Sequence, residues 1–282
     1  MEHLIGLIGH PVAHSKSPQI FGEFFQNQSL DTWSYNLWDL DIIANLNQVL
    51  ALSNLRGFNV TIPHKSTIIP YLNYISDDAQ SIGAVNTILC IPDNQQAIEQ
   101  LLQTLNTNHG STKKLNPLNP IRDKFLLGFN TDYAGFCESF QSISASIKQA
   151  IIIGNGGSAK AVKQCLYTNN IPFSTYSRTP IFEQSILDMS ALNERIAEPK
   201  TLWINTTPAG MHPNIDQMPT IPLSGIHSSD TLIDLIYNPA ETKLMRQFKE
   251  IGARAINGWP MLQSQANQAW ELFQLSASIG TL

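Results

Sequence analysis

"IIIGNGGSAKAV" (residues 151–162) decides the fold class. An apolar β-type run enters a turn with Gly154, Gly156 and Ala159 at G-x-G-x-x-A spacing, and a helical pattern follows. That order is the dinucleotide-binding arrangement of a βαβ unit, with alanine allowed at the third position. Gly154 makes the tight turn, Gly156 lets the backbone approach a pyrophosphate, and Ala159 keeps the helix close to the strand. N–H groups at a helix start hold phosphates, so Asn155, Gly157 and Ser158 complete the candidate cofactor loop. Glycines that merely turn the chain are the plainer reading. The strand before and the helix after favour the nucleotide.

The next strand selects the cofactor. "FSTYS" (173–177) leads into Arg178 and Thr179. A site for NAD usually places Asp or Glu there, on the ribose 2′-hydroxyl. Ser177, Arg178 and Thr179 instead offer hydroxyls and a guanidinium, which suits a 2′-phosphate. NADP is therefore the expected cofactor and NAD the alternative. A solvated surface arginine is the structural alternative for Arg178. Thr206, within the "NTT" that ends the following strand, either lines the nicotinamide end or belongs to a structural turn.

Around this motif, strand-like and helix-like runs alternate nearly throughout. "LIGLIG" (4–9), "TWSYNLW" (32–38), "GFNVTI" (57–62), "VNTILCI" (85–91) and "FLLGFN" (125–130) read as strands before the glycine loop. "LWINTT" (202–207), "TLIDLIY" (231–237) and "RAIN" (254–257) do so after it. Strands separated by helices imply a mainly parallel sheet with helices on both faces, an α/β fold. Ser17-Pro18 is expected to cap and open a helix, and "MLQSQANQAWELFQL" to close the chain as a long one. Residues 92–124 break the pattern as an insertion between two adjacent strands. Ile98, Leu101, Leu102 and Leu105 share one helical face, and Asn/Gly/Ser/Pro-rich material after them reads as a loop.

The bulk numbers set limits. A chain of 282 residues is comfortable for two domains. Hydrophobic residues make up 43%, and no apolar run approaches the ~18 residues of a membrane helix. The formal net charge of -5 gives no reason to expect nucleic acid. Cys90, Cys137 and Cys165 are odd in number and widely spaced, which argues against a disulfide framework. "MEHLIGLIGH" lacks a basic n-region, so no signal peptide and a cytoplasmic location are expected. The histidines give no convincing metal spacing.

Two stretches before residue 70 carry chemistry. In "GHPVAHSKSP" (9–18), Ser15 and Ser17 flank Lys16 just past the first strand. Such serines are commonly turn residues, yet ligands of open α/β sheets bind at carboxyl ends of strands, where two hydroxyls can grip a carboxylate. In "NVTIPHK" (59–65), Lys65 ends an apolar run in a chain whose charged residues are only 14%. Taken alone, Lys65 reads as a helix-start surface residue and Asp132 as an N-cap.

Together with these two stretches, "GAVNT" (83–87), "FNTD" (129–132), "GNGGSAKAV", "SRT", "YNPAETKLM" (237–245) and "NGWPMLQSQA" (257–266) stand in the order and spacing of shikimate dehydrogenases. The resemblance spans the chain apart from 92–124. It implies reversible NADP-dependent reduction of 3-dehydroshikimate to shikimate. It also implies a substrate domain of residues 1–131 completed by 258–282, a Rossmann-like cofactor domain of 132–257, and a cleft between. By resemblance, Ser15 and Ser17 bind the substrate carboxylate. Thr61, Lys65, Asn86, Asp132 and Gln265 surround the ring hydroxyls and carbonyl, with Lys65 and Asp132 as the catalytic pair. Tyr237 and Gly258 lie near substrate and nicotinamide, and Met261 belongs to the cofactor side. The match departs from the family at Pro180, Ile181 and Phe182, where a second arginine is frequent, and at Trp259-Pro260, where Leu-Gly is common. His64 stands where phenylalanine is frequent and reads as a packed ring. A quinate/shikimate paralogue using NAD, or a non-catalytic ligand-sensing relative, are the competing readings. The expected partner is a small molecule, with neither nucleic acid nor membrane, on a monomer or homodimer.

Overall fold

A computed structural model of the chain describes residues 2–108, 112–115, 124–181, 185–192 and 198–279. The chain divides into two compact units, Met1–Thr131 with Gln265–Leu282, and Asp132–Ser264. The later division falls inside a helix. Phe182 and most of the polar stretch after residue 108 lie outside the described residues.

The first unit contains β1 (His3–Gly9), α1 (Ser17–Asn27), β2 (Trp33–Asp39), α2 (Leu46–Leu50), β3 (Gly57–Val60) and β4 (Tyr74–Ser76). It continues through α3 (Asp77–Ile82), β5 (Thr87–Pro92), α4 (Gln95–Asn108), β6 (Thr112–Lys114) and β7 (Lys124–Phe129) to the start of α5 (Thr131–Gln141). Its seven strands form one sheet in the order β2-β1-β3-β5-β7-β4-β6. The mainly parallel expectation holds across the chain, but in this first sheet parallel and antiparallel pairs are mixed. β5 runs antiparallel to both β3 and β7, and β6 antiparallel to β4. β5 alone runs opposite to β3 and β7, so one reversed strand accounts for both of these antiparallel contacts. β5 and β7 are adjacent, which places residues 93–123 between paired strands. In α4, Ile98, Leu101 and Leu105 are buried and Leu102 partly so.

Local chemistry explains the element ends. Ser76 caps α3 by accepting the Ala79 N–H at 3.3 Å, and Gly83 ends it in the left-handed region at φ 67°. Ser17 is the first residue of α1 rather than its cap; its N–H donates to Ser15 Oγ at 3.2 Å. β2 sits at the sheet edge and alternates between partly buried and exposed residues, as its sequence pattern requires.

The second unit holds β8 (Gln149–Ile153), α6 (Gly157–Thr168), β9 (Phe173–Ser177), β10 (Ile186–Asp188), α7 (Met189–Leu192), β11 (Thr201–Asn205), β12 (Thr231–Asp234), α8 (Lys243–Glu250), β13 (Arg254–Ile256) and the start of α9 (Trp259–Ile279). Its sheet order is β10-β9-β8-β11-β12-β13, and every pair is parallel. Counted from β8, this is the doubly wound order 3-2-1-4-5-6. Apolar residues cover both faces. Ile152 and Ile204 pack with α5 and α6, while Ile151, Ile153 and Trp203 pack with Leu244 and Phe248 of α8.

Cysteine pairing is a correction. Cys137 of α5 and Cys165 of α6 form a disulfide with a Cα–Cα distance of 5.7 Å, and Cys90 is free and buried. Count and spacing along the chain miss this because helix packing sets the approach. Phe136, Phe140, Cys165 and Leu166 share one core.

The last part of α9 belongs to the first unit. Phe273 packs where a Cβ on Gly57 would stand, 2.6 Å from its ring. Ser276 Oγ donates to the carbonyls of Arg56 and Cys90 at 2.8 and 3.0 Å, and Trp270 joins Phe21, Phe24 and Phe25.

Candidate active site

In the first unit, β1, β3 and β7 end at the same edge of the sheet where β5 begins. That edge gathers the loops carrying most of the sequence-derived substrate residues. After β1 the chain reaches Ser15 and Ser17, whose hydroxyls are 3.1 Å apart and partly buried. Gly9 must be glycine, since a Cβ there would lie 2.3 Å from Thr61 Cγ2 and 2.8 Å from Ile62 O. This close approach sets the β1 loop against Thr61.

Lys65 follows β3 and is partly buried. Its carbonyl accepts the Val85 N–H at 2.7 Å, and Ser66 Oγ donates to Gly83 O at 3.0 Å. The lysine loop is thereby fastened to the segment that presents Asn86. His64 is buried and its Nε2 lies 2.6 Å from Leu40 O, the packed-ring role expected of it.

Asn86 gathers several hydrogen bonds at this edge. Its Oδ1 accepts the Thr131 N–H at 2.7 Å, and its Nδ2 donates to Thr131 Oγ1 at 3.0 Å and to Gln265 Oε1 at 3.2 Å. Thr87 Oγ1 donates to the same Oδ1 at 3.3 Å. Behind it, Asn59 Nδ2 donates to Asn86 O at 3.3 Å and to Thr87 Oγ1 at 3.1 Å, and Tyr35 OH donates to Asn59 Oδ1 at 2.9 Å. Sequence reasoning missed Asn59, Thr87 and Thr131 as supports. Their signal was an Asn and Thr repeated at three strand ends, in "NVT", "VNT" and "FNTD".

Asp132 is buried and is the second residue of α5. It lies inside the first turn, where the helix dipole favours a carboxylate, and so is not the N-cap that its residue type alone suggested. Gly258 carries no possible side chain, because a Cβ would stand 2.1 Å from Leu235 O, and its N–H donates to Ile236 O at 3.0 Å. This contact docks the start of α9 against the stretch that leads to Tyr237. Met261 is 7% exposed and packs in the core of the second unit.

The glycine loop fits the phosphate role on its own geometry. Gly154 has φ 105°, and a Cβ there would meet Thr206 Oγ1 at 2.5 Å. Its N–H donates to Tyr176 O at 2.8 Å. Gly156 immediately precedes α6, and a Cβ there would meet no atom within 4 Å. The chain's own packing therefore leaves open space beside that glycine, room that a close backbone approach to a ligand would use. Ala159 is fully buried. Ser177 and Arg178 leave β9 beside this loop, since Ile153 pairs with Tyr176. Ser177 Oγ accepts the Thr179 N–H at 3.2 Å, and Arg178 and Thr179 are exposed. Thr206 is tied to β8 by its N–H and hydroxyl, both donated to Ile153 O, at 2.9 and 2.8 Å. Candidate residues thus flank the switch between β8 and β11, where ligands of such sheets bind.

Two features here were not read from sequence. Lys163 Nζ donates to Asn155 Oδ1 at 2.7 Å; burial and then nearby Lys160 hold its pKa below the ordinary lysine value. Behind Thr206, Asp234 is fully buried. It accepts from Asn205 Nδ2 at 3.0 Å, Thr242 Oγ1 at 2.6 Å and the Ile236 N–H at 3.2 Å. Burial raises its pKa to about 6 against those three donors. Asn205 Oδ1 in turn accepts the Thr207 N–H and hydroxyl, at 3.0 and 2.7 Å.

Residues 7–88 match the family described as shikimate dehydrogenase substrate binding domain. The chain is 33% identical over 289 residues to shikimate dehydrogenase (NADP(+)) of Methanosphaera stadtmanae, covering 96% of this chain and 90% of that protein. A crystal structure of shikimate dehydrogenase 1 from Peptoclostridium difficile is similar at a TM-score of 0.75 and 30% identity, over 96% of this chain and 91% of that one. A shikimate dehydrogenase crystallised with NADP+ is similar at 0.73 and 30%, over 99% and 94%. With identity of this level along nearly its whole length, the chain belongs to the shikimate dehydrogenase family.

Proposed function

We propose that the chain catalyses reversible, NADPH-dependent reduction of 3-dehydroshikimate to shikimate. The observation that carries this is identity to shikimate dehydrogenases along 96% of the chain, joined to a polar sheet edge built around Asn86.

The cofactor fits the glycine loop of the second unit. Gly154, Gly156, Gly157 and Ser158 would hold its pyrophosphate, with α6 supplying N–H donors and a favourable dipole. Ser177, Arg178 and Thr179 would receive the 2′-phosphate, which favours NADP over NAD. Asn155, Thr206, Gly258 and Met261 complete the set proposed for it. When bound, the nicotinamide supplies or accepts the hydride.

The chain's own residues do the rest. Ser15 and Ser17 take the substrate carboxylate through two hydroxyls. Thr61, Asn86, Tyr237 and Gln265 orient the ring. Reduction of the ketone builds negative charge on its oxygen, and the Lys65 ammonium stabilises that charge and delivers a proton. In the reverse direction Lys65 accepts the proton from the hydroxyl. Asp132 orients the lysine. The domain roles follow: residues 1–131 with the end of the chain bind substrate, and the remainder binds the dinucleotide. A cytoplasmic setting suits such a reaction.

Steady-state rates for shikimate and quinate, each with NADP+ and NAD+, test the reading. Shikimate with NADP+ is expected to give the highest kcat/KM. Dominance of quinate with NAD+ would overturn it.

A further inference from the structure

A second cluster of cations lies at the opposite edge of the first unit's sheet. Arg56 directly precedes β3, and Lys124 opens β7. Six residues of β7, about 20 Å at strand rise, separate Lys124 from the Asn86 edge. The two cations line a cavity of about 340 Å³, whose apolar walls are Leu50, Leu55 and Pro92.

Among the described residues the charges there are not balanced by a carboxylate. Arg56 is 8% exposed, and its guanidinium makes one hydrogen bond among the described residues, from Nε to His3 Nδ1 at 3.0 Å. Lys124 Nζ donates to Leu52 O at 3.1 Å. Among the described residues neither cation has a carboxylate partner within ion-pair distance. Cys90, which acts on Lys124, stays a neutral thiol, pushed up to about 12 by burial although Lys124 pulls it down. Burial lowers the pKa of Arg56 and Lys124, and the Arg56 charge lowers Lys124 further. An arginine does not shed its proton in a protein, and Lys124 is partly buried beside it, so the cavity holds two like charges that an anion would offset. An oxyanion supplies what is missing. The guanidinium fork receives two oxygens, Lys124 adds a point charge, and the apolar walls cover an organic substituent.

We propose that this cavity binds a small organic oxyanion, a phosphate ester or a carboxylate, at a site separate from the one that binds substrate. The proposal stands independently of the assigned reaction.

The test uses the full chain, labelled for amide NMR and titrated in parallel with phenyl phosphate and with benzoate. Binding of either is expected to shift amides of residues 50–56 and 124–126. Binding of phenyl phosphate alone identifies a phosphate ester; binding of both identifies a general oxyanion site. Lys124→Gln, which keeps a donor for Leu52 O, is expected to weaken binding about tenfold. Arg56→Lys, which keeps charge but loses the fork, is expected to weaken it too. Shifts confined to the loops at Ser15–Ser17 or Gly154–Ser158, or no shifts at all, would overturn the proposal. So would equal affinity in Lys124→Gln.

Discussion

Asn86 Nδ2 donates to Gln265 Oε1 across 3.2 Å, joining residues 179 apart in the chain. The first unit's sheet and the final helix therefore share one polar centre. Asn86→Ala leaves the buried Thr131 N–H without its acceptor, at a cost of about 1–3 kcal/mol. Gln265→Ala removes only one end of a neutral pair. Urea unfolding of both variants is expected to place Asn86→Ala clearly lower, with Gln265→Ala near wild type. In steady-state assays Gln265→Ala is expected to raise KM for shikimate more than it lowers kcat.

Lys65→Ala should lower kcat by about two to four orders of magnitude, the range of general acid–base contributions. KM should move much less. Lys65 is only partly buried, so the folded state survives, and circular dichroism will show native content. Near-normal turnover would remove the lysine from the mechanism.

Arg178 is exposed just past β9, so its removal leaves stability within about 0.5 kcal/mol. Arg178→Ala is expected to raise KM for NADP+ by about tenfold or more, the value of one charge-assisted contact. KM for NAD+ should be unchanged. The ratio of the two kcat/KM values measures this.

Asp234 sets a pH dependence. Its pKa is raised to about 6 by burial, whereas an unfolded aspartate titrates near 4. The folded state thus holds a proton that the unfolded chain has released. That contribution is full below about pH 4 and is lost as pH rises through about 6, amounting to roughly 2–3 kcal/mol. Asp234→Asn is expected to flatten this part of the profile. Denaturant midpoints across the window check it.

The Cys137–Cys165 bond closes a separation of 28 residues. A loop of that length stabilises by about 3.6 kcal/mol in the chain-entropy description. Incubation with dithiothreitol should lower the thermal midpoint, and Cys137→Ser should show the same lower midpoint with no further response to the reductant.

Much of this fold is legible in the residues because long apolar runs and their punctuation agree. "IIIGNGG" states a strand, a tight turn and a helix start, and β8, Gly154 and α6 follow it. β4, β6 and β10 were not read, since three residues carry little periodicity, although β13, equally short, stood out in "RAIN". Antiparallel β5 was hidden because its run is apolar on both faces, so its direction depends on the return path. Side chains that chemistry demands, such as Ser15, Lys65 and Asn86, stood out in motifs. Their supports did not, because Asn59, Thr87 and Thr131 meet Asn86 through cross-strand register. The burial of Asp234 is likewise a property of packing.

The central claim is that the Ser15, Lys65 and Asn86 edge receives shikimate. A crystal structure of the protein with shikimate and NADP+ tests it most directly. The carboxylate is expected within hydrogen-bonding distance of the Ser15 and Ser17 hydroxyls, and a ring oxygen within reach of Lys65 Nζ. A shikimate seated elsewhere, or oriented with its carboxylate away from both serines, would contradict the account.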